Sequence, residues 1–360
     1  MIPQKGDETV LKKQFIQDML SCLQTHLEQY PASQARDMVK FIFQGMLGVG
    51  HLLAAPETVE RYIALEMQEQ APVIEEALTD ALSPSWCRLN LRRALAEHLS
   101  PRQIANVMFA SQPEFAFTRA DVRDVCQLVA EERPLPALLD EIAQIEDERW
   151  LPSHSEIYRE MYRPAYRVVA ADWVPLLPIL CMIAQKEASG KRILVTIDGP
   201  CASGKTTLAK KLAQAMDASI VHTDDFVVPH AQKTSERLAI PGGNCDWERL
   251  CREVIVPWKE GGRPHYQRYD CMQDCLLPPE TVTADRVLIL EGSYSNLPAI
   301  QKHADLRLFV DTAKEVRMER LRQRESPQSL QQFYQRWIPL EDAYFKAYGL
   351  PDQNCILIHA

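Results

Sequence analysis

A short segment at residues 199–206 constrains the fold of this chain more than any other feature. It reads Gly-Pro-Cys-Ala-Ser-Gly-Lys-Thr and matches the pattern G-x-x-x-x-G-K-[ST] in full. An apolar, β-branched run precedes it at residues 192–198, and a run with helical composition follows it at residues 207–215. This context predicts a strand, a glycine-rich loop and a helix in succession, which together form a phosphate-binding loop.

The residue types of this loop suit a nucleotide. Glycines let the backbone curl so that N–H groups point at phosphate oxygens, and the following helix directs its dipole at the same anion. Lys205 supplies a mobile charge that we also expect to act in catalysis, and the Thr206 hydroxyl can ligate Mg²⁺. A glycine-rich turn without a ligand is the alternative, but it would need neither residue. We therefore predict that ATP and Mg²⁺ bind here, with nucleotide contacts from Gly199, Ala202, Ser203, Gly204, Lys205, Thr206 and Thr207.

From Arg192 onward, short β-branched runs alternate with helical stretches. The runs lie at residues 193–197, 219–222, 287–290, 306–310 and 355–359. Such alternation is typical of βαβ units and a parallel sheet. Residues 187–360 are therefore predicted to form an α/β domain, with a five-stranded parallel sheet and helices on both faces.

The preceding part of the chain has a different pattern. Apolar residues recur at helical spacing between residues 8 and 185, and prolines punctuate them. We predict an all-α domain at residues 1–186, ending in the polar turn at 187–191. The glycine-rich stretch at residues 45–52 predicts a tight turn or a close approach to a ligand, with His51 as a cap or a site residue.

A second cluster of this half combines tyrosines and arginines. They recur every three to four positions between residues 158 and 167, so on one helix they would share a face. Such a face could bind an acidic ligand or pack against the acidic body of the domain, although Pro164 interrupts the pattern.

Three carboxylates follow predicted strands of the α/β domain. Asp224 and Asp225 come directly after the second strand, and Glu291 ends the third. Ligands of open α/β sheets bind at the carboxyl ends of the strands. Transfer of a phosphoryl group to a hydroxyl needs a proton acceptor, which we assign to Asp224, with Asp225 as the other candidate and helix capping as the structural alternative. Glu291, together with Thr206 and Asp224, is a candidate Mg²⁺ ligand.

These motifs together resemble those of the uridine kinase, phosphoribulokinase and pantothenate kinase superfamily. The likeness covers residues 190–360 and lies in the loop at 199–206, the D-x-F pattern at 224–226 and the Glu-Gly pair at 291–292. The resemblance implies that the D-x-F aspartate is the base. It also implies a lid helix whose arginines close on the phosphates, here Arg317, Arg320 and Arg324, with Arg320 at the nucleotide and Arg324 in catalysis.

The resemblance further implies an acceptor site between the second and third strands. Tyr269 and Asp270 resemble a Y-D element of uridine kinases, and we add Arg268 and Asp225 as candidate acceptor contacts. The segment at 241–247, Pro-Gly-Gly-Asn-Cys-Asp-Trp, departs from the corresponding run of uridine kinases. The departure weakens uridine as the acceptor without weakening phosphoryl transfer.

Composition limits the remaining possibilities. The net charge of −9 argues against nucleic-acid binding. No apolar run is long enough for a membrane helix, no signal peptide is evident, and the ten cysteines suit reduced thiols, so we expect a cytoplasmic protein. The predicted function is ATP-dependent phosphorylation of a small-molecule hydroxyl. The alternative is a nucleotide-dependent switch that acts through the helical half, and homo-oligomer formation is left open.

Overall fold

A computed structural model describes residues 5–48, 55–113, 115–133 and 135–359, with the backbone alone for residues 5–9. The chain divides into two compact units, Met1–Ala184 and Gln185–Ala360. The predicted residue His51 lies outside the described residues. Within the described residues, no helix combines the length and apolar character needed to cross a membrane.

The N-terminal unit is mainly helical. Capping explains several helix starts: Ser100 and Thr118 each accept the N–H three residues on, and the side chain of that residue returns a bond to the cap backbone. Its elements are α1 (Lys5–Gln29), α2 (Ala35–Leu47), α3 (Pro56–Gln68), β1 (Thr79–Ala81), β2 (Trp86–Asn90), α4 (Leu91–Ala96), α5 (Pro101–Ala110), α6 (Arg119–Glu132), α7 (Pro136–Ile142), α8 (Glu156–Tyr162), β3 (Tyr166–Ala170) and α9 (Leu177–Glu187).

The helical prediction for this unit is confirmed, with one correction. Strands β1, β2 and β3 form a small antiparallel sheet in that order. Four successive residues of β2, Trp-Cys-Arg-Leu at positions 86–89, are buried, and such a short continuously buried run has no period that separates strand from helix. The predicted tyrosine–arginine helix is also wrong beyond Tyr162, because Arg163 adopts a left-handed conformation and Tyr166 begins β3.

The C-terminal unit contains the predicted parallel sheet, which is confirmed. The strand order is β10-β9-β4-β8-β5, and all pairings are parallel. Its elements are β4 (Ile193–Asp198), α10 (Lys205–Met216), β5 (Ser219–His222), α11 (Ser235–Ala239), α12 (Trp247–Leu250), α13 (Val256–Lys259), β6 (His265–Asp270), β7 (Cys275–Thr281), β8 (Val287–Glu291), α14 (Pro298–Gln301), β9 (Leu306–Asp311), α15 (Lys314–Arg324), α16 (Pro327–Gln332), α17 (Ile338–Tyr348) and β10 (Ile356–His359).

The core of this unit lies against the sheet. Every residue of β4 and β8 is buried, as expected of strands covered on both faces. Helix α10 contacts β4, β5 and β8, and residues from the 247–259 helical segment pack with strand residues in one apolar cluster. An antiparallel hairpin of β6 and β7, which the strand pattern did not predict, lies between β5 and β8 in the sequence.

Candidate active site

The sheet topology brings three predicted site segments to one edge. Strand β4 lies between β8 and β9, and the predicted phosphate loop follows it directly. Glu291, the last residue of β8, is in register with Ile197 of β4 on one side and His222 of β5 on the other. Because the strands are parallel, the loop, Asp224 and Glu291 all lie beyond their carboxyl ends, where open α/β sheets bind ligands.

The loop has the backbone conformation that its glycines predict. Gly199 and Gly204 have φ values of +140° and +103°, which favour glycine. A Cβ at Gly199 would clash with the main-chain oxygen of Val310 in β9, so only glycine allows this approach. Helix α10 begins at Lys205, immediately after the loop, so its unpaired N-terminal N–H groups adjoin the loop.

Lys205 is held against the loop. Its side chain is buried, and Nζ donates a hydrogen bond of 2.9 Å to the main-chain oxygen of Pro200. A neutral carbonyl is the acceptor of this bond. The nearby hydroxyl of Ser203 is buried and has no hydrogen-bond partner among the described residues. Both groups can therefore donate to a phosphate.

Thr206 and Glu291, two of the predicted metal ligands, are in direct contact. The Thr206 hydroxyl donates to Glu291 Oε1 over 3.0 Å. The other carboxylate oxygen, Oε2, lies 2.6 Å from His222 Nδ1, and this hydrogen bond raises the pKa of His222. A hydroxyl beside a carboxylate is an oxygen donor set that suits Mg²⁺. No group of three or more His, Cys, Asp or Glu that could hold a metal occurs among the described residues.

The two aspartates after β5 have different surroundings. Both belong to the turn Thr223–Phe226. Asp224 is exposed to solvent, yet the surrounding protein raises its pKa by desolvation, with further upward contributions from Glu291 and Glu341 and an opposing one from Lys205. Asp224 is thus close enough to Lys205 of the phosphate loop to interact with its charge.

Asp225 is half-buried, and its Oδ2 has no hydrogen-bond partner among the described residues. Desolvation raises its pKa, while His222 and Arg268 oppose the rise. Its charged neighbours include Arg268 of the β6–β7 hairpin, which distinguishes it from Asp224.

The predicted lid arginines have three different environments. Arg317 is buried and donates to the main-chain oxygens of Thr312, at 3.2 Å, and Cys201, at 3.4 Å. Arg320 is exposed and donates to the oxygen of Ala202 over 3.2 Å. Arg324 is exposed and pairs with Glu325 at 2.7 Å. The structure therefore brings Arg317 and Arg320 to the phosphate loop but leaves Arg324 paired on the surface.

The predicted acceptor residues lie on β6, and most of their polar groups are engaged. Arg268 pairs with Glu280 at 2.7 Å. The Tyr269 hydroxyl donates to Asp274 and accepts the N–H of His230 at 3.3 Å.

Asp270 is engaged within the turn of the hairpin. Its Oδ1 accepts the N–H groups of Met272, at 2.7 Å, and Gln273, at 3.1 Å. These bonds explain Asp270 as a turn residue.

A buried network around the loop was not predicted. Glu341 Oε2 accepts the Cys201 N–H at 2.9 Å, and Oε1 accepts the Ser293 hydroxyl at 2.6 Å. Asp198 accepts hydrogen bonds from the N–H of Gly199, at 2.7 Å, the N–H of Asn296, at 2.8 Å, and the hydroxyl of Tyr344, at 2.7 Å. Burial nevertheless raises the pKa of Asp198 to about 6.

Comparison with protein families gives one match. Residues 194–328 match the Phosphoribulokinase / Uridine kinase family. The match confirms the resemblance predicted for the C-terminal half. Together with the parallel sheet and the loop, it gives this unit the fold of P-loop kinases. No curated protein matches the chain.

Solved structures similar to this chain cover about half of it. One is described as a possible uridine kinase from Bacillus stearothermophilus, with 20% identity, 50% of this chain and 99% of that chain covered, and a TM-score of 0.37. Another is a putative fructose transport system kinase from Silicibacter sp. TM1040, with 22% identity, 48% and 88% covered, and a TM-score of 0.35.

Proposed function

We propose that residues 187–360 transfer the γ-phosphoryl group of ATP to a hydroxyl of a small molecule, with Mg²⁺ as cofactor. One observation carries this proposal: Lys205, Thr206 and Glu291 meet at the carboxyl edge of the sheet, and Asp224 interacts electrostatically with the same cluster. In this proposal the helical unit, residues 1–186, contributes no catalytic residue.

The metal would be held by the Thr206 hydroxyl and the Glu291 carboxylate, with Asp224 as a further oxygen donor. The Thr206 hydroxyl and Glu291 Oε1 already lie 3.0 Å apart. A bound Mg²⁺ would neutralise charge on the phosphate oxygens. His222 Nδ1 forms a hydrogen bond with Glu291 Oε2 and so orients the carboxylate toward the loop.

Asp224 is the proposed proton acceptor for the attacking hydroxyl. Its exposure leaves it accessible to an acceptor molecule, and its raised pKa makes it a stronger base than an ordinary aspartate. Asp225, with one oxygen buried and a neighbouring arginine, suits contact with the acceptor instead.

Lys205 and the arginines would stabilise the transferring group. The Lys205 ammonium donates to the neutral main-chain oxygen of Pro200, so exchange of that bond for one to a charged phosphate oxygen is favourable. Arg320 already reaches the loop through Ala202, and Arg324 would join it by leaving Glu325. Preorganised charges of this kind lower the barrier to phosphoryl transfer.

The acceptor would lie between the turn Thr223–Phe226 and the β6–β7 hairpin. Arg268 and Tyr269, with Asp225, are the proposed contacts, and Asp270 is the least suited because its carboxylate holds the hairpin turn. The cellular compartment is also a proposal. All ten cysteines are free in the structure, which supports the reducing cytoplasm.

The test is a mass-spectrometric screen of the full-length protein with Mg-ATP and a library of hydroxyl-bearing metabolites. We expect one class of compound to gain a single phosphate, and Lys205→Ala to abolish that gain. ATP hydrolysis without any phosphorylated metabolite, stimulated instead by a protein partner, would support the nucleotide-dependent switch and contradict the kinase.

A further inference from the structure

The N-terminal unit contains a cavity of about 490 Å³ that no part of the proposed kinase function uses. Its lining includes Arg88 on β2, Asp80 on β1, Tyr158 and Tyr162 on α8, and Tyr30, which directly follows α1. The volume lies within the range of small-molecule sites, and aromatic walls with a few charged groups are typical of them.

Arg88 is the unusual member of this lining. Only 3% of the residue is exposed, and its Nε has no hydrogen-bond partner among the described residues. The remaining contacts of the guanidinium are long: 3.5 Å from Nη1 to the His26 ring, 3.3 Å from Nη2 to Gln44 Oε1, and 3.8 Å from Nη1 to Asp80 Oδ2. A buried cation whose nearest carboxylate lies 3.8 Å away is costly. Burial lowers the pKa of His26 and so favours its neutral ring, which adds no second positive charge beside the guanidinium.

Aromatic rings fix the position of this guanidinium. Its carbon lies 5.2 Å from the ring centroid of Phe41 and 4.6 Å from that of Tyr166. Tyr166 is held in turn, because its hydroxyl lies 2.7 Å from His154 Nε2, and His154 Nδ1 lies 2.8 Å from Asp37. The guanidinium is therefore held in a rigid setting at the wall of the cavity, and its planar donor groups match the geometry of a carboxylate.

The rest of the lining disfavours a simple anion. Asp80, Glu75 and Glu76 also face the cavity, and of these Glu76 is paired with Arg92 at 3.2 Å. Asp80 and Glu75 would repel an anion that carried no positive charge of its own. The tyrosine rings provide negative π faces, with centroids of Tyr30 and Tyr162 only 4.9 Å apart, and such faces attract an ammonium group.

We propose that this cavity binds a small zwitterion of the α-amino acid type. Arg88 takes the carboxylate through its guanidinium, whose Nε has no hydrogen-bond partner among the described residues, and Asp80 takes the ammonium beside the tyrosines. One ligand of this type would give the buried guanidinium a close anion and would place its ammonium beside the acidic residues of the lining.

The test is isothermal titration calorimetry of the full-length protein with the proteinogenic L-amino acids, one at a time. At least one should bind. Its N-acetyl derivative, which lacks the ammonium, and its amide, which lacks the carboxylate, should each bind at least about tenfold more weakly. If no amino acid binds, or if the N-acetyl derivative binds as tightly, the proposal is wrong.

Variants separate the two charges. Asp80→Asn changes a side chain that is 35% exposed, so folding should survive, and it should weaken binding of the amino acid at least about tenfold. It should not weaken binding of the N-acetyl derivative, and it should strengthen it, because the repulsion between Asp80 and that anion is removed. Arg88→Lys keeps the positive charge but loses the paired N–H donors of the guanidinium. It should therefore weaken binding of both the amino acid and its N-acetyl derivative. Arg36→Gln removes a surface ion pair with Glu141 outside the cavity and is the matched control, with unchanged affinity expected. Unchanged affinity in Asp80→Asn would overturn the proposal even if Arg88→Lys did not fold.

Discussion

Buried charged groups beside the phosphate loop of the C-terminal unit and beside the cavity of the N-terminal unit differ in their hydrogen bonds. In the C-terminal unit, the buried carboxylates of Asp198 and Glu341 are satisfied by short hydrogen bonds, two of them from the main chain of the phosphate loop. In the N-terminal unit, the buried guanidinium of Arg88 has contacts of 3.3 Å or longer and one open N–H. Buried charged groups with complete hydrogen bonds can hold a loop in its binding conformation before the ligand arrives. A buried charged group that lacks hydrogen-bond partners can instead obtain them from a bound ligand.

The largest effect should come from removing the ammonium group of Lys205, which lies against the phosphate loop. Lys205→Ala should lower kcat/KM for ATP turnover by about 10³-fold, in the upper range for loss of one preorganised transition-state donor. Steady-state kinetics measures the loss, and circular dichroism checks the fold. Lys210→Ala, on the exposed side of the same helix, is the control and should retain full activity. Near-normal turnover in Lys205→Ala would place the chemistry elsewhere.

The next effect separates the two aspartates. Asp224→Asn keeps the shape and removes the proton acceptor, so kcat should fall about 10²-fold. Because the pKa of Asp224 is raised, the acid limb of the wild-type pH–rate profile should lie above the range of an ordinary aspartate, with kcat rising as the carboxyl loses its proton. That limb should vanish in the variant.

Asp225→Asn is the matched comparison for this prediction. It should raise KM for the acceptor more than it lowers kcat, because Asp225 is proposed to bind the acceptor. A crippled Asp225→Asn beside a mild Asp224→Asn would show that the two roles are reversed.

The lid arginines should have smaller effects. Arg324→Ala should lower kcat about tenfold without a change in melting temperature, since the exposed pair with Glu325 contributes little to stability. Arg322→Ala, which breaks a similar exposed pair with Glu319, is the control and should leave kcat unchanged. Limited proteolysis should show that ATP protects residues 317–325. Equal protection with and without ATP would argue against lid closure.

The smallest effect tests the satisfied network itself. Asp198 has a folded-state pKa of about 6, above its unfolded value of 3.8, so the folded state holds the proton more tightly. Its contribution to the free energy of unfolding is therefore present at low pH and lost as pH rises, by about 1 kcal/mol between about pH 5 and about pH 6. Chemical denaturation at both values measures the change, and Asp198→Asn should remove it. The same slope in the variant would assign the pH dependence to another group.

Local sequence was enough for much of the C-terminal unit. The loop at residues 199–206 predicted a strand before it and a helix after it, and β-branched runs predicted all five strands of the parallel sheet. These signals are short in range: glycine at positive φ, apolar runs in buried strands, and a lysine and threonine at the start of a helix. Helical periodicity likewise predicted the main character of the N-terminal unit.

Only the tertiary structure decided which side chains complete the sites. Strand order places β4 between β8 and β9, and that order brings Glu291 to Thr206 and His222 although 85 and 69 residues separate them. Glu341 reaches Cys201 across 140 residues of sequence, and Arg88 lies beside Gln44 because β2 and α2 pack together. A sequence pattern reports the period and propensity of one segment. Distances between segments, and the desolvation that shifts the pKa of Asp198 or leaves Arg88 unsatisfied, arise only when the segments pack.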